Sequence, residues 1–160
     1  MVSTYVVGSA VEGLAFDGTN IWVAVGSLSE VVELAASTGG VIGTYAVGPN
    51  PIGIAFDGAN IWVANNYSAN VTKLLASNGT VVGSYATGLY PFGVAFDGTN
   101  IWVANSGNGS GNTVTKLLAS NGALLGTFTV GTGPNGIASD GTNLWVANSD
   151  GSVTKIAATK

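Results

Sequence analysis

Short runs of apolar residues, broken at regular intervals by glycine, asparagine and aspartate, follow one another along the whole chain. Runs such as Ile61-Trp62-Val63-Ala64 and Val71-Thr72-Lys73-Leu74-Leu75 are rich in β-branched and aromatic residues and predict strands. The Asp-Gly, Asn-Gly and Gly-Gly pairs between them predict tight hairpin turns, because these residues reach positive φ at little cost. No apolar run approaches the roughly 20 residues of a membrane-spanning helix, so no membrane partner is expected, and few helix formers stand together in any long run. The pattern is that of an all-β protein.

The runs repeat. Phe16-Asp17-Gly18-Thr19-Asn20-Ile21-Trp22-Val23-Ala24 returns at Phe56 to Ala64, at Phe96 to Ala104 and, with serine first, at Ser139 to Ala147. The equivalent aspartates Asp17, Asp57, Asp97 and Asp140 are spaced by 40, 40 and 43 residues, and the longer step falls in the glycine-rich stretch Ser106 to Asn112. A second element, Val71 to Gly79, recurs identically at Val114 to Gly122 and more loosely at Val31 to Gly39 and Val153 to Thr159. A third, Gly43 to Gly48, matches Ser3 to Gly8, Gly83 to Gly88 and Gly126 to Gly131. Each unit therefore holds four strands, in the second unit Gly53 to Phe56, Ile61 to Asn65, Val71 to Leu75 and Val81 to Ala86. A period near 40 with four strands per unit predicts propeller blades, and residues 1–160 are read as one repeat domain.

Ile-Trp-Val-Ala-Asn, then Val-Thr-Lys-Leu, then Gly-Thr-Tyr and Pro-x-Gly-Ile-Ala-Phe-Asp-Gly resemble the YVTN-type repeats of bacterial β-propellers, related to NHL-type blades. The resemblance implies a fold and leaves the chemistry open. The chain opens on an outer-type strand, Ser3 to Gly8, and ends after a third strand, so the first strand is expected to complete the last blade and spare it an unpaired edge. A self-closed four-bladed monomer and an eight-bladed homodimer with exchanged closing strands both satisfy that pairing. The resemblance to rings of six to eight blades favours the homodimer, making the chain its own partner.

A net charge of −4, with four lysines and no arginine, leaves no basic patch for a phosphate backbone, so no nucleic-acid partner is expected. Histidine and cysteine are absent. This removes the usual general base and thiol nucleophile, and no metal or cofactor is expected. The repeats also resemble those of streptogramin lyases, for which the resemblance implies a catalytic histidine that this chain cannot match. The expectation is a non-enzymatic scaffold or binding module, in the manner of an excised or engineered half-propeller. A lectin-like carbohydrate binder is the alternative, and a lyase-like enzyme ranks behind both. The Asn-, Thr- and Ser-rich composition suggests an extracellular bacterial origin, although Met1 to Tyr5 carries no signal-peptide pattern.

Trp22, Trp62, Trp102 and Trp145 occupy one position of the repeat and are expected to fill the space between blades. The four aspartates are read as turn formers rather than metal ligands, and Lys73, Lys116 and Lys155 as a solvated face. The turns between the first and second and between the third and fourth strands are nearly uniform, whereas the connections between the second and third strands and between units vary and should emerge on one face, where a protein or glycan ligand would bind. That face is expected to carry Glu12, Asn50, Ile52, Tyr90, Phe92 and Asn135 on one set of connections, and Glu30, Tyr67, Asn108 and Asp150 on the other. Tyr67, Tyr90 and Phe92, as aromatics outside the repeat pattern, are the foremost of these.

Overall fold

A computed structural model describes residues 2–158; the end of the last repeat at Thr159 lies outside them. Fifteen strands form four antiparallel blades in chain order. Blade 1 holds β1 (Val11–Phe16), β2 (Asn20–Val25), β3 (Glu30–Ala35) and β4 (Val41–Ala46). Blade 2 holds β5 (Pro51–Phe56), β6 (Asn60–Asn65), β7 (Asn70–Leu75) and β8 (Val81–Ala86). Blade 3 holds β9 (Pro91–Phe96), β10 (Asn100–Asn105), β11 (Thr113–Leu118) and β12 (Leu124–Thr129). Blade 4 has three strands, β13 (Pro134–Ser139), β14 (Asn143–Asn148) and β15 (Val153–Ala157). The innermost strands β1, β5, β9 and β13 pack side by side and line the concave side of an open arc. This is a half-propeller.

The core lies between blades, because each blade turns a different apolar face to each neighbour. Trp22 and Val31 of blade 1 pack on Ile54, Ile61, Val63 and Leu74 of blade 2. Trp62, Ala64 and Val71 then pack on Val94, Ile101, Val103 and Leu117, and Trp102 and Val114 on Leu144 and Val146. The first three tryptophans are fully buried as expected, but Trp145, on the outer face of blade 4, is 41% exposed. Leu14 and Phe16, on the outer face of blade 1, are 63% and 56% exposed.

Within the single chain residues 2–8 form no strand and leave β15 at the edge of blade 4, so the chain does not close that blade on itself; Val7 packs on Val23, Val25, Val32 and Leu34 of blade 1. One expectation is corrected. Lys73 and Lys116 are not solvated: both are buried, at 4% and 9% exposure. Lys73 Nζ donates to the Ala119 carbonyl at 2.7 Å and lies over the Trp62 ring, while Lys116 Nζ lies over Trp102. Stacking blades on both sides of each sheet leaves no solvated face for these side chains.

Candidate functional site

The same irregularity interrupts every innermost strand. In blade 2, Ile54 pairs with Val63 and Pro51 with Asn65, so Ile52 and Gly53 together face one residue of β6. The corresponding stretches in the other blades are Glu12-Gly13, Phe92-Gly93 and Asn135-Gly136. An extra residue on one strand bends it and redirects a side chain, which is why such bulges recur beside active sites. Glu12, Ile52, Phe92 and Asn135 thus stand at equivalent positions and all line an open cavity of about 450 Å³ on the concave side of the arc.

A second hollow of about 210 Å³ adjoins it between blades 3 and 4 and shares Phe92 and Asn135; Tyr90, Asn108, Asn66 and Ser149 complete its wall. The two sets of variable connections therefore meet on one face. They are clasped by one repeated hydrogen bond: the backbone amides of Gly26, Asn66, Ser106 and Ser149 donate to the carbonyls of Ala10, Asn50, Tyr90 and Gly133. Each accepting residue has a positive φ, 53° at Ala10, 51° at Asn50, 51° at Tyr90 and 66° at Gly133. Glycine adopts that conformation freely, but a bulky tyrosine held there is strained, and strain of this kind concentrates at functional positions.

The candidate residues divide accordingly. Glu12, Tyr90, Phe92, Asn108 and Asn135 come together around the two cavities. Tyr67 stands edge-on to Tyr90, ring centres 6.3 Å apart, at the outer side of the same face. Asn50 donates through Nδ2 to Asn66 Oδ1 at 3.4 Å, and Asn66 Nδ2 donates to the Pro91 carbonyl at 3.0 Å, so this pair holds the loops rather than offering free groups. Asp150 is a latch: its carboxylate accepts from Ser152 Oγ and from the amides of Thr132 and Ser152. The Ser152 hydroxyl and these amides hold it below the usual carboxylate range. Glu30 begins β3, opposite Val25 and Ala46, and lines neither cavity.

Asn66, Ser106 and Ser149 were missed, although each follows directly on the strand that carries the tryptophan. That shared position was the available signal. Among the described residues no three of His, Cys, Asp and Glu cluster so as to hold a metal ion. Glu12 is the carboxylate of the concave wall, with the Tyr90 hydroxyl and the amides of Asn108 and Asn135 on the adjoining surface. A carboxylate that can take a proton and amides that can donate to a carbonyl oxygen are the elements of acid–base chemistry.

No protein-family model matches the chain, and no curated protein matches it. Among solved structures, hydrazine synthase of Kuenenia stuttgartiensis superposes with a TM-score of 0.82 at 23% identity, over 98% of this chain and 49% of that one. A computationally designed protein, Ika4, superposes at 0.81 with 13% identity, over 93% of this chain and 91% of that one. A catalytically inactive virginiamycin B lyase of Staphylococcus aureus with quinupristin superposes at 0.76 with 16% identity, over 94% of this chain and 53% of that one. The chain thus spans about half the length of the two natural proteins. These matches correct the expectation of a non-enzymatic scaffold or binding module: enzymes are built on this blade arrangement, and missing histidine and cysteine do not by themselves make a chain non-catalytic. The likeness is one of fold, a β-propeller-like arrangement of four-stranded antiparallel blades.

Proposed function

We propose that the chain forms half of a catalytic propeller of the lyase type, built from YVTN/NHL-type repeats, with Glu12 as the proton acceptor at the axial mouth. The observation that carries this reading is the set of four equivalent bulges, which turn Glu12, Ile52, Phe92 and Asn135 into one cavity beside the variable loops. The substrate class is an uncharged peptide or ester with an acidic C–H beside a carbonyl and an oxygen leaving group on the next carbon. Phe92 and Ile52 receive its apolar part, and the side-chain amide of Asn108 polarises its carbonyl. The Glu12 carboxylate takes the C–H proton, the electron pair forms a C=C bond, and the C–O bond breaks with its electrons leaving on oxygen. That oxygen takes a proton from the Tyr90 hydroxyl, and the proton on Glu12 passes through water to the Tyr90 oxygen, which restores both groups.

Quinupristin is the probe, because one of the lyase structures holds it. Elimination conserves the summed mass of the substrate and creates a conjugated double bond, whereas hydrolysis adds one water. Glu12→Gln should slow turnover by roughly 10²- to 10⁴-fold, the usual worth of a positioned general base. No turnover of quinupristin, or turnover that Glu12→Gln leaves unchanged, would sink this reading.

A further inference from the structure

The three blade junctions are copies of one another. At each, the bulge glycine lies against the carbonyl of the next blade's bulge residue: Gly13 against Ile52, Gly53 against Phe92, Gly93 against Asn135. A Cβ on any of these glycines would collide with that oxygen. At each, a ring of the outer strand covers the tryptophan of its own blade, with centre separations of 5.3 Å for Tyr45 and Trp22, 5.4 Å for Tyr85 and Trp62 and 5.2 Å for Phe128 and Trp102. Tyr45 and Tyr85 also press on turn glycines of the following blade, Gly79 and Gly122.

Both ends of the arc hold half of the same junction. Tyr5 presses on Gly39 of blade 1 as Tyr45 presses on Gly79 of blade 2, so residues 2–8 lie where the outer strand of a preceding blade would lie. Among the described residues no blade stands before blade 1. At the other end Trp145 is exposed, and a Cβ on Gly136 would meet only Ala147 of its own blade, at 3.6 Å. Among the described residues neither Tyr5 nor Trp145 has a ring partner.

We propose that a second copy of this chain completes both ends, Tyr5 of each copy covering Trp145 of the other, so that two arcs close into one eight-bladed ring about a two-fold axis. The repeat sets the register. Tyr45 pairs with Val31, Tyr85 with Val71 and Phe128 with Val114, which places Tyr5 opposite Val153 and Thr4 opposite Thr154 on the bare edge of β15. Gly136 then meets the Glu12 carbonyl of the second copy and completes the fourth junction. The chain does not supply this contact to itself, because three equal steps leave the outer faces of blades 1 and 4 in solvent. Closing the arc at four blades would reopen junctions that the glycine contacts hold without slack. The ring would also complete the wall of the cavity and bring a second Glu12 to it, but the assembly follows from the junctions and does not depend on the catalytic reading.

The chain contains no cysteine, so disulfides can report the pairing. Chains carrying Thr4→Cys alone and chains carrying Thr154→Cys alone are mixed, oxidised and run under denaturing conditions, and the unmodified protein is measured by light scattering across a dilution series. The expected result is a mass twice that of the 15.8 kDa chain, a linked pair from the mixture, and association weakened at least about tenfold by Tyr5→Ala, the loss of a buried aromatic anchor. A one-chain mass that persists on dilution, with a disulfide formed only inside the double variant, would overturn the proposal in favour of self-closure. Assemblies that keep growing with concentration would overturn it in favour of open stacking. Neither mass depends on quinupristin turnover, so this test can fail while the catalytic reading stands, and the reverse.

Discussion

The Trp62 indole donates from Nε1 to Asp57 Oδ2 at 2.7 Å, while Asp57 Oδ1 accepts the amides of Ala59 and Asn60 at 2.9 and 2.7 Å. One carboxylate thus shapes the hairpin turn and fixes the tilt of the ring that fills the next blade junction. The arrangement recurs at Asp17 with Trp22, Asp97 with Trp102 and Asp140 with Trp145. Asp57→Asn keeps the shape but turns an amide toward the indole, and should cost about 1.5–3 kcal/mol in chemical denaturation, the range for a hydrogen bond to a charged group.

The same carboxylates predict how stability responds to acid. Burial raises the pKa of Asp17, Asp57 and Asp97, but the indole and amide donors outweigh it, and all three fall below the ordinary range. Asp140, where the Trp145 donor leads, is lowered further. A carboxyl depressed in the folded state contributes stability that is present above its unfolded value near 4 and lost as pH falls through the folded value. Denaturation midpoints should therefore hold from neutrality to about pH 4 and drop below it, and Asp57→Asn should make the drop shallower. A flat profile down to pH 2 would contradict the linkage.

Tyr45 predicts the alkaline limb. Burial raises its pKa first, and the Glu33 carboxylate that accepts its hydroxyl at 2.7 Å adds to this, so that it lies at about 12. The folded state resists forming the phenolate, so its contribution is complete below the unfolded value near 10 and is lost as pH rises toward 12. Tyrosinate absorbance should show one late-titrating group in the native protein, and Glu33→Gln should move it toward the ordinary value. If Glu33→Gln leaves the titration unchanged, the shift has another source.

Lys73 is anchored 46 residues away, on Ala119 of the next blade. Lys73→Met would keep the stem over Trp62 but leave the Ala119 carbonyl without its buried donor, at a cost of about 1–3 kcal/mol. Lys73→Arg retains a donor and should lose less. Urea denaturation of the two variants distinguishes a buried anchor from a surface charge, for which both substitutions would be nearly silent.

The fold was legible because one period carries both the strands and their turns: Asp57-Gly58 marks the same hairpin as Asp97-Gly98, and Trp62 the same core position as Trp102. The site was legible only in part. Tyr67, Tyr90 and Phe92 stood out as aromatics outside the repeat, but nothing in Pro91-Phe92-Gly93 announces a bulge, because a bulge is a property of two paired strands. Lys73 was misread for a related reason: alternation along β7 places it on one face, and only the stacking of blade 3 shows that this face is covered. Residues 2–8 have the pattern of an outer strand, and whether they find an edge to join is decided by how the arc closes.

Blade 1 supplies its own control for the last prediction. Asn65 donates from Nδ2 to Thr72 Oγ1 at 2.7 Å and to Asn70 Oδ1 at 2.6 Å, but its Oδ1 is buried without a partner among the described residues. At the equivalent positions blade 1 carries Val25 and Val32, both buried, so the polar pair has been exchanged there for an apolar one. Asn65→Val alone leaves the Thr72 hydroxyl only its 3.4 Å contact with Ser84 Oγ and should cost about 1–3 kcal/mol. Adding Thr72→Val removes that hydroxyl, and because Asn65 already carries an unpaired acceptor, the double variant should recover at least half of that loss. The expected coupling of the two changes is about 0.5–3 kcal/mol, read from urea denaturation of the four proteins in the cycle. Simple additivity would mean that Asn65 is held by its fit among the strands and that its bond to Thr72 contributes little.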